Sequence, residues 1–165
     1  MYRTLSRGNA FTLFWGAESP FSQWHPARFV VDEVSFSCAE QYMMHAKALL
    51  FGDEASAEQI LAAASPAEQK RLGRRVSGFR EEPWNAERES IVYRGNHARF
   101  TQAPPLLEAL LATAGTRLAE ASPTDLVWGI GFRAEDPRAA DPARWRGQNL
   151  LGNVLTRLRD DLLGR

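Results

Sequence analysis

An acid and an amine lie seven residues apart in a segment whose sequence predicts one helix. Glu40 and Lys47 therefore share one side of that helix, about 10 Å apart along its axis at 1.5 Å per residue. This separation is too long for a direct ion pair and suits two groups that flank a ligand. Helix capping and the helix macrodipole also account for an acid near the start and a lysine near the end. Both interpretations stay open from these two residues alone.

The ends of this helix are also predicted. Ser37 and Glu40 have the spacing of a capping box. Gly52 stands where a left-handed residue would end the helix. Apolar residues recur between these limits at steps of three and four, so we expect the stripe to face a core. The stripe consists of Tyr42, Met43, Ala46, Leu49 and Leu50.

Length and composition narrow the class of protein. The 165 residues predict a single domain, 1–165, large enough to bury a core. Twenty basic and twenty acidic side chains cancel, which argues against a protein that binds by broad phosphate neutralisation. The single cysteine, Cys38, allows no intramolecular disulfide and fits a reducing compartment. No apolar run could span a membrane and no signal-peptide pattern is present, so we expect a cytoplasmic protein without a membrane partner. The sequence gives no oligomeric state.

Periodicity and turn residues predict an α+β fold, mainly helical, with a small sheet of short strands. Capping signals at Asp53 and at Ser65 begin two of the helices. The predicted helices after the first one cover about 53–64, 66–75, 83–101, 106–114 and the segment after 149. The predicted strands are 11–15, 28–31, 34–36, 116–121 and a buried strand at 125–131.

Motifs for metals and nucleotide cofactors are not found. The three histidines, His25, His45 and His97, are far apart and show no metal-ligand spacing. Gly129-Ile130-Gly131 is too short for a dinucleotide fingerprint, which needs a third glycine and a following helix. We therefore expect neither a metal nor a cofactor.

Four blocks of the chain resemble the NADAR family, also described as YbiA-like N-glycosidases, in the right order and spacing. They are residues 36–47, 83–100, 125–131 and 147–152, the last with Leu155 and Arg159. The loop Phe21-Ser22-Gln23-Trp24 resembles the family's Phe-Ser-Asn-Phe segment. An aromatic loop of this kind serves either as a ligand wall or as a flap over the core, and both interpretations stay open.

The resemblance implies a compact domain that cleaves N-glycosidic bonds of nucleotide-like molecules. One branch of the family hydrolyses phosphorylated riboflavin-synthesis intermediates, and another removes ADP-ribose from guanine, which can be part of a nucleic acid. Ile130 and Gln148 stand where some members carry an acid and a lysine, which leaves the choice of substrate open. The alternative is a module that binds ADP-ribose or NAD without turnover.

By resemblance, the catalytic residues are Glu40, Lys47 and Asp125. The residues expected to bind substrate are Tyr42, Trp84, Trp128, Phe21, Asn149 and Gly129. We expect Glu40, Lys47, Trp84, Asp125 and Trp128 to line one pocket.

Two chemical routes fit these residues. Cleavage of a bond between an anomeric carbon and nitrogen builds positive charge on the sugar. The carboxylates of Glu40 and Asp125 can stabilise this charge, and they can also activate water or protonate the leaving group. Alternatively, Lys47 with a lowered pKa can form a Schiff base with the sugar aldehyde, in apolar surroundings supplied by Tyr42 and the two methionines at 43 and 44. Trp84 and Trp128 can stack on a flat base. The sequence does not decide between the routes, and we favour a chemical role for Lys47.

Overall fold

The computed structural model describes residues 2–7 and 9–165, with side chains from residue 11 onwards. It confirms an α+β fold of six helices and short strands in the described part of the chain. The strands are β1 Tyr2–Arg7, β2 Asn9–Phe14, β3 Phe29–Val31, β4 Val34–Phe36 and β5 Arg117–Glu120. The helices are α1 Ala39–Leu50, α2 Glu54–Ala62, α3 Pro66–Gly73, α4 Glu81–Gln102, α5 Pro104–Leu111 and α6 Leu150–Leu162. Two short 3-10 helices, Pro137–Ala140 and Pro142–Arg144, precede α6.

The chain divides into two compact units. Residues 1–25 and 104–165 form the first, here called the sheet unit, and residues 26–103 form the second, the helical unit. The single domain expected from chain length stays a prediction. None of the described helices is both long and apolar enough to cross a membrane.

The sheet unit is built on the strand order β1-β2-β5. β1 pairs antiparallel with β2, and β2 pairs parallel with β5. Helix α6 packs against β5 and buries Leu151, Val154, Leu155 and Leu158, which are residues of its predicted core face. This packing fixes the segment that precedes α6.

The helical unit is organised around α1, which packs against α2, α3 and α4. A hairpin of β3 and β4 enters it, as the sequence predicts. The hairpin turns at Asp32 and Glu33, whose φ angles of 48° and 66° are both positive. Two consecutive positive φ values match the twist of a tight hairpin, although Asn and Gly adopt them more easily. Phe29, Phe36 and Tyr42 form the local core.

The predicted capping box of α1 is wrong, whereas its predicted end is confirmed. The N-cap residue is Cys38, because the N–H and the hydroxyl of Ser37 both donate to Oε1 of Gln41, at 2.7 and 3.1 Å. At the other end Gly52 has a φ of 70°. The N–H of Gly52 donates to Leu49 O and that of Asp53 to Ala48 O, which is the Schellman arrangement.

The predicted apolar stripe of α1 is only half right. Tyr42 and Met43 are buried, but Leu49 and Leu50 are 51% and 39% exposed. Ala48 is the buried residue of the last turn. Residues 39–44 are buried on all sides because three helices surround them, so apolar spacing within α1 alone could not identify the buried side.

The predicted strand at 125–131 is also wrong. This segment forms turns, because Oδ1 of Asp125 accepts the backbone N–H groups of Val127 and Trp128 at 2.9 and 2.8 Å. Aspartate side chains that bond the backbone in this way compete with strand pairing. Leu126 is consequently exposed while Ile130 is fully buried.

Candidate active site around Lys47

The amine of Lys47 lies between two aromatic rings and a backbone carbonyl. Its Nζ atom donates a hydrogen bond of 2.9 Å to the carbonyl oxygen of Gly73. The same atom lies 4.6 Å from the ring centroid of Phe79 and 5.4 Å from that of Trp84. The ring of Trp84 is buried, whereas Phe79 is 45% exposed. The amine is thus held at a half-buried position that borders solvent through Phe79.

Close packing between α1 and α3 brings the Gly73 carbonyl to Lys47. A Cβ atom at residue 73 would lie 2.0 Å from the sulfur of Met44, so any larger residue there would force the Met44 side chain to move. Gly78 then adopts a φ of 74°, which favours glycine, and the chain turns just before Phe79. Phe79 packs edge-on against Phe51 at 5.4 Å, which fixes the direction of its ring.

Burial lowers the pKa of Lys47, and this is the largest effect on its charge. The negative charge of Glu40 acts in the opposite direction, and the positive charge of Arg74 lowers the pKa further. A lowered pKa increases the fraction of neutral amine, the form that can act as a nucleophile. The two aromatic rings act in the opposite direction, because they favour the ammonium form.

Glu40 is the carboxylate coupled to this amine. It lies in the first turn of α1 and is 4% exposed. Its negative charge raises the pKa of Lys47 and so opposes the effect of burial. A buried carboxylate within electrostatic reach of an amine is the arrangement expected of an acid–nucleophile pair.

Tyr42, one of the three apolar neighbours predicted for Lys47, packs against other residues. Tyr42 packs against Phe36, with ring centroids 5.1 Å apart, and against Gly95 of α4. The rings next to Lys47 are instead those of Phe79 and Trp84. Phe79 was missed because it belongs to no periodic pattern, and the only sequence signal was an aromatic residue directly after a glycine turn.

Cys38, beside the start of α1, has a structural role. Its thiol donates to Oε1 of Gln69 at 3.1 Å. Burial raises the pKa of this thiol, which disfavours the thiolate that a nucleophilic cysteine needs.

Three predicted binding residues of the sheet unit are engaged in packing. Asn149, in the left-handed conformation at the N-cap of α6, accepts the N–H of Glu120 and donates to Leu118 O. A Cβ atom at Gly129 would lie within 3.0 Å of three neighbouring atoms. Phe21 is fully buried and packs edge-on against Phe14 at 5.6 Å. These contacts stabilise the sheet unit.

Asp125 and Trp128 also belong to the sheet unit, on the turn described above. Trp128 is half-buried, and its N–H is held by Oδ1 of Asp125. Glu40, Lys47 and Trp84 belong to the helical unit. The expectation that all five line one pocket stays a prediction.

Comparison with known proteins assigns the chain to a family. The chain is 38% identical over 181 aligned residues to Protein irg-1 of Caenorhabditis elegans, covering 100% of this chain and 85% of that protein. It is 40% identical over 146 residues to N-glycosidase R617 of Acanthamoeba polyphaga mimivirus, covering 86% of each. The NMR structure of the Escherichia coli protein YbiA matches with a TM-score of 0.77 and 27% identity, over 96% of this chain and 88% of that one. A model of the NADAR domain matches residues 13–163. The chain therefore belongs to the NADAR domain family.

Proposed function

We propose that this chain is an N-glycosidase that hydrolyses the bond between a sugar and a nitrogen heterocycle in a nucleotide-like substrate. The observation that carries the proposal is the half-buried amine of Lys47, with its lowered pKa, its two aromatic neighbours and the charge of Glu40. Membership of the NADAR domain family and a relative named N-glycosidase support the reaction class.

In this mechanism the neutral amine of Lys47 attacks the anomeric carbon. The carbon–nitrogen bond to the base breaks, and the base leaves with the electron pair and takes up a proton. Opening of the sugar ring gives an imine between the sugar and Nζ. One water molecule then hydrolyses the imine, which releases the sugar and restores the amine. The net reaction consumes one water for each bond cleaved.

Glu40 is the acid–base group of these steps and also stabilises charge. Its carboxylate can stabilise positive charge on the sugar and exchange a proton with the leaving base or with water. Asp125 has a different surrounding, because its Oδ1 holds two backbone N–H groups of its own turn. These hydrogen bonds favour a positioning role for Asp125, in which it fixes the turn that presents Trp128.

The aromatic rings beside Lys47 favour a substrate with a flat leaving group. Stacking of a base on an aromatic side chain contributes roughly 1–3 kcal/mol. Phe79 offers an exposed ring for this purpose directly beside the amine. Phosphorylated riboflavin-synthesis intermediates and ADP-ribosylated guanine, free or within a nucleic acid, are the two substrate classes to test.

One experiment tests the reaction and the role of Lys47 together. The protein is incubated with both substrate classes, with and without borohydride, and the release of free base is followed by chromatography. We expect one class to release base, and borohydride to leave a reduced sugar adduct on Lys47 that mass spectrometry locates. Absence of base release from every substrate would refute the N-glycosidase proposal. Base release without an adduct would refute the covalent route alone.

A further inference from the structure

A cavity of about 500 Å³ lies in the helical unit on the face of α1 opposite Lys47. His45 and Leu49 line it, and each is two residues from Lys47, or roughly 200° around a helix of 3.6 residues per turn. Neither Glu40 nor Trp84 is among the residues that line it. Its volume falls in the range of roughly 300–1,000 Å³ that is typical of small-molecule sites.

Aromatic rings form the base of the cavity. Phe36 and Tyr42 are buried, with ring centroids 5.1 Å apart. His45 packs edge-on against Phe36 at 5.3 Å. At the rim, α1 presents the exposed side chains of Leu49 and Leu50 to solvent. A flat ligand would contact the rings and remove apolar leucine surface from water, at roughly 25 cal/mol per Å².

Polar side chains also line the rim, including one from the turn between β3 and β4. Asp32, one of the two positive-φ residues of the hairpin, lines the cavity and forms a 2.5 Å ion pair with Arg94. Glu87 lies two turns before Arg94 on the same face of α4 and forms no ion pair with any described residue.

The charges at this rim select the chemistry of a ligand. The Asp32–Arg94 pair is neutral as a whole, and Glu87 adds one negative charge. Burial lowers the pKa of His45 and so favours its neutral ring, which offers a nitrogen acceptor. A carboxylate and a neutral imidazole both accept hydrogen bonds, so the rim favours N–H donors and disfavours anions.

We infer that this cavity is a second small-molecule site, which binds a planar heterocycle bearing amino groups. The ring lies against Phe36 and Tyr42, and an amino group donates to the Glu87 carboxylate. On the proposed function, the base released by N-glycoside cleavage has this chemistry, so a released base is the expected natural occupant. Binding itself needs no turnover, so it can be tested in a chain without activity.

The test uses 2,4-diaminopyrimidine as the probe, with pyrimidine and benzoate as controls. Each is titrated into the full chain, and carbon–proton NMR signals of His45, Leu49 and Ile91 report occupancy of the cavity. We expect saturable shifts at these residues with diaminopyrimidine, binding at least about 10-fold weaker with pyrimidine, and none with benzoate. Equal binding of the three probes, or no shift at these residues, would overturn the inference.

Variants at exposed residues of α4 that line the cavity test binding with little risk of unfolding the protein. Glu87→Gln should weaken binding about 10-fold, because it replaces a charged acceptor by a neutral one of the same shape. Ser90→Phe should abolish binding by filling the opening, since Ser90 lines it. Lys47→Ala should bind the probe as the wild type does. Unchanged affinity in both α4 variants, or lost binding in Lys47→Ala, would show that the probe occupies another site.

Discussion

Asn149 and Asp125 of the sheet unit use their polar groups differently from Lys47 of the helical unit. In the sheet unit, the side chain of Asn149 both donates to and accepts from the backbone of β5, and the carboxylate of Asp125 holds its own turn. In the helical unit, Lys47 has one hydrogen bond, to a carbonyl, and otherwise faces aromatic rings.

This difference distinguishes predicted site residues that stabilise the fold from a residue suited to chemistry. A polar side chain whose hydrogen-bonding groups are satisfied by backbone stabilises the fold, and its replacement should appear as lost stability. An amine that burial pushes towards its neutral form gains reactivity at the expense of solvation. The four predictions below test this distinction, in order of decreasing effect.

Replacement of Lys47 should have the largest effect. Both Lys47→Ala and Lys47→Arg should lower kcat at least about 10³-fold, because a guanidinium stays protonated and cannot form an imine. Steady-state kinetics on the responsive substrate measures this, with thermal unfolding as the check on folding. Appreciable kcat in Lys47→Arg with an altered KM would instead assign Lys47 to substrate binding.

Replacement of Glu40 should lower activity and also move its pH dependence. Glu40→Gln should reduce kcat about 10²–10⁴-fold, as expected for loss of an acid–base group. Because the charge of Glu40 raises the pKa of Lys47, its removal lowers that pKa. Activity that needs the neutral amine rises as pH rises through this pKa, so the rise in kcat/KM should shift to lower pH. A shift to higher pH would contradict the coupling.

Replacement of Asn149 should affect stability and leave the chemistry of the folded protein intact. Asn149→Ala removes hydrogen bonds to Glu120 and Leu118 in a fully buried position, so we expect a loss of about 2–3 kcal/mol in the free energy of unfolding. Asn149→Asp keeps the acceptor for Glu120 but loses the donor to Leu118 O and buries a charge, so it should destabilise the fold at least as much. Urea denaturation measures the loss. A large change in KM at unchanged stability would instead make Asn149 a binding residue.

Replacement of Phe79 should have the smallest effect, confined to substrate binding. Phe79→Leu should raise KM about 10-fold, in line with the loss of one stacking partner. Stability should change by less than about 1 kcal/mol, because the side chain is 45% exposed and leucine keeps part of its apolar contact. Val30→Ala removes a comparably exposed apolar side chain on β3 and should leave KM unchanged. Equal KM values for Phe79→Leu and wild type would remove Phe79 from the site.

Local signals in the sequence were sufficient for much of the fold. The side chain of Asp53 caps α2 and that of Ser65 caps α3, as predicted, and Gly52 ends α1. Each of these depends on residues within one turn of each other. The predicted strand at 125–131 is wrong because apolar content does not by itself imply strand pairing. Hydrogen bonds from Val127 and Trp128 to the side chain of Asp125 turn the segment instead.

The surroundings of Lys47 could not be predicted in the same way. The amine and its place on α1 follow from spacing, but its carbonyl partner comes from the end of α3, 26 residues away. That contact depends on the close packing of Met44 against Gly73. Such long-range packing leaves no periodic pattern in the sequence, so neither Gly73 nor Phe79 was a candidate before the structure was known.

The main-chain origin of this partner limits how mutation can change the amine. Every residue type at position 73 carries the same carbonyl, so no side-chain substitution can delete the acceptor directly. The carbonyl also fixes the direction of one N–H of a neutral amine, and so limits its lone pair to two tetrahedral directions. The aromatic side chains beside it can vary without loss of this orientation. Evolution of specificity for a new leaving group can therefore act on Phe79 and Trp84. The orientation of the Lys47 amine depends instead on the packing of α1 against α3.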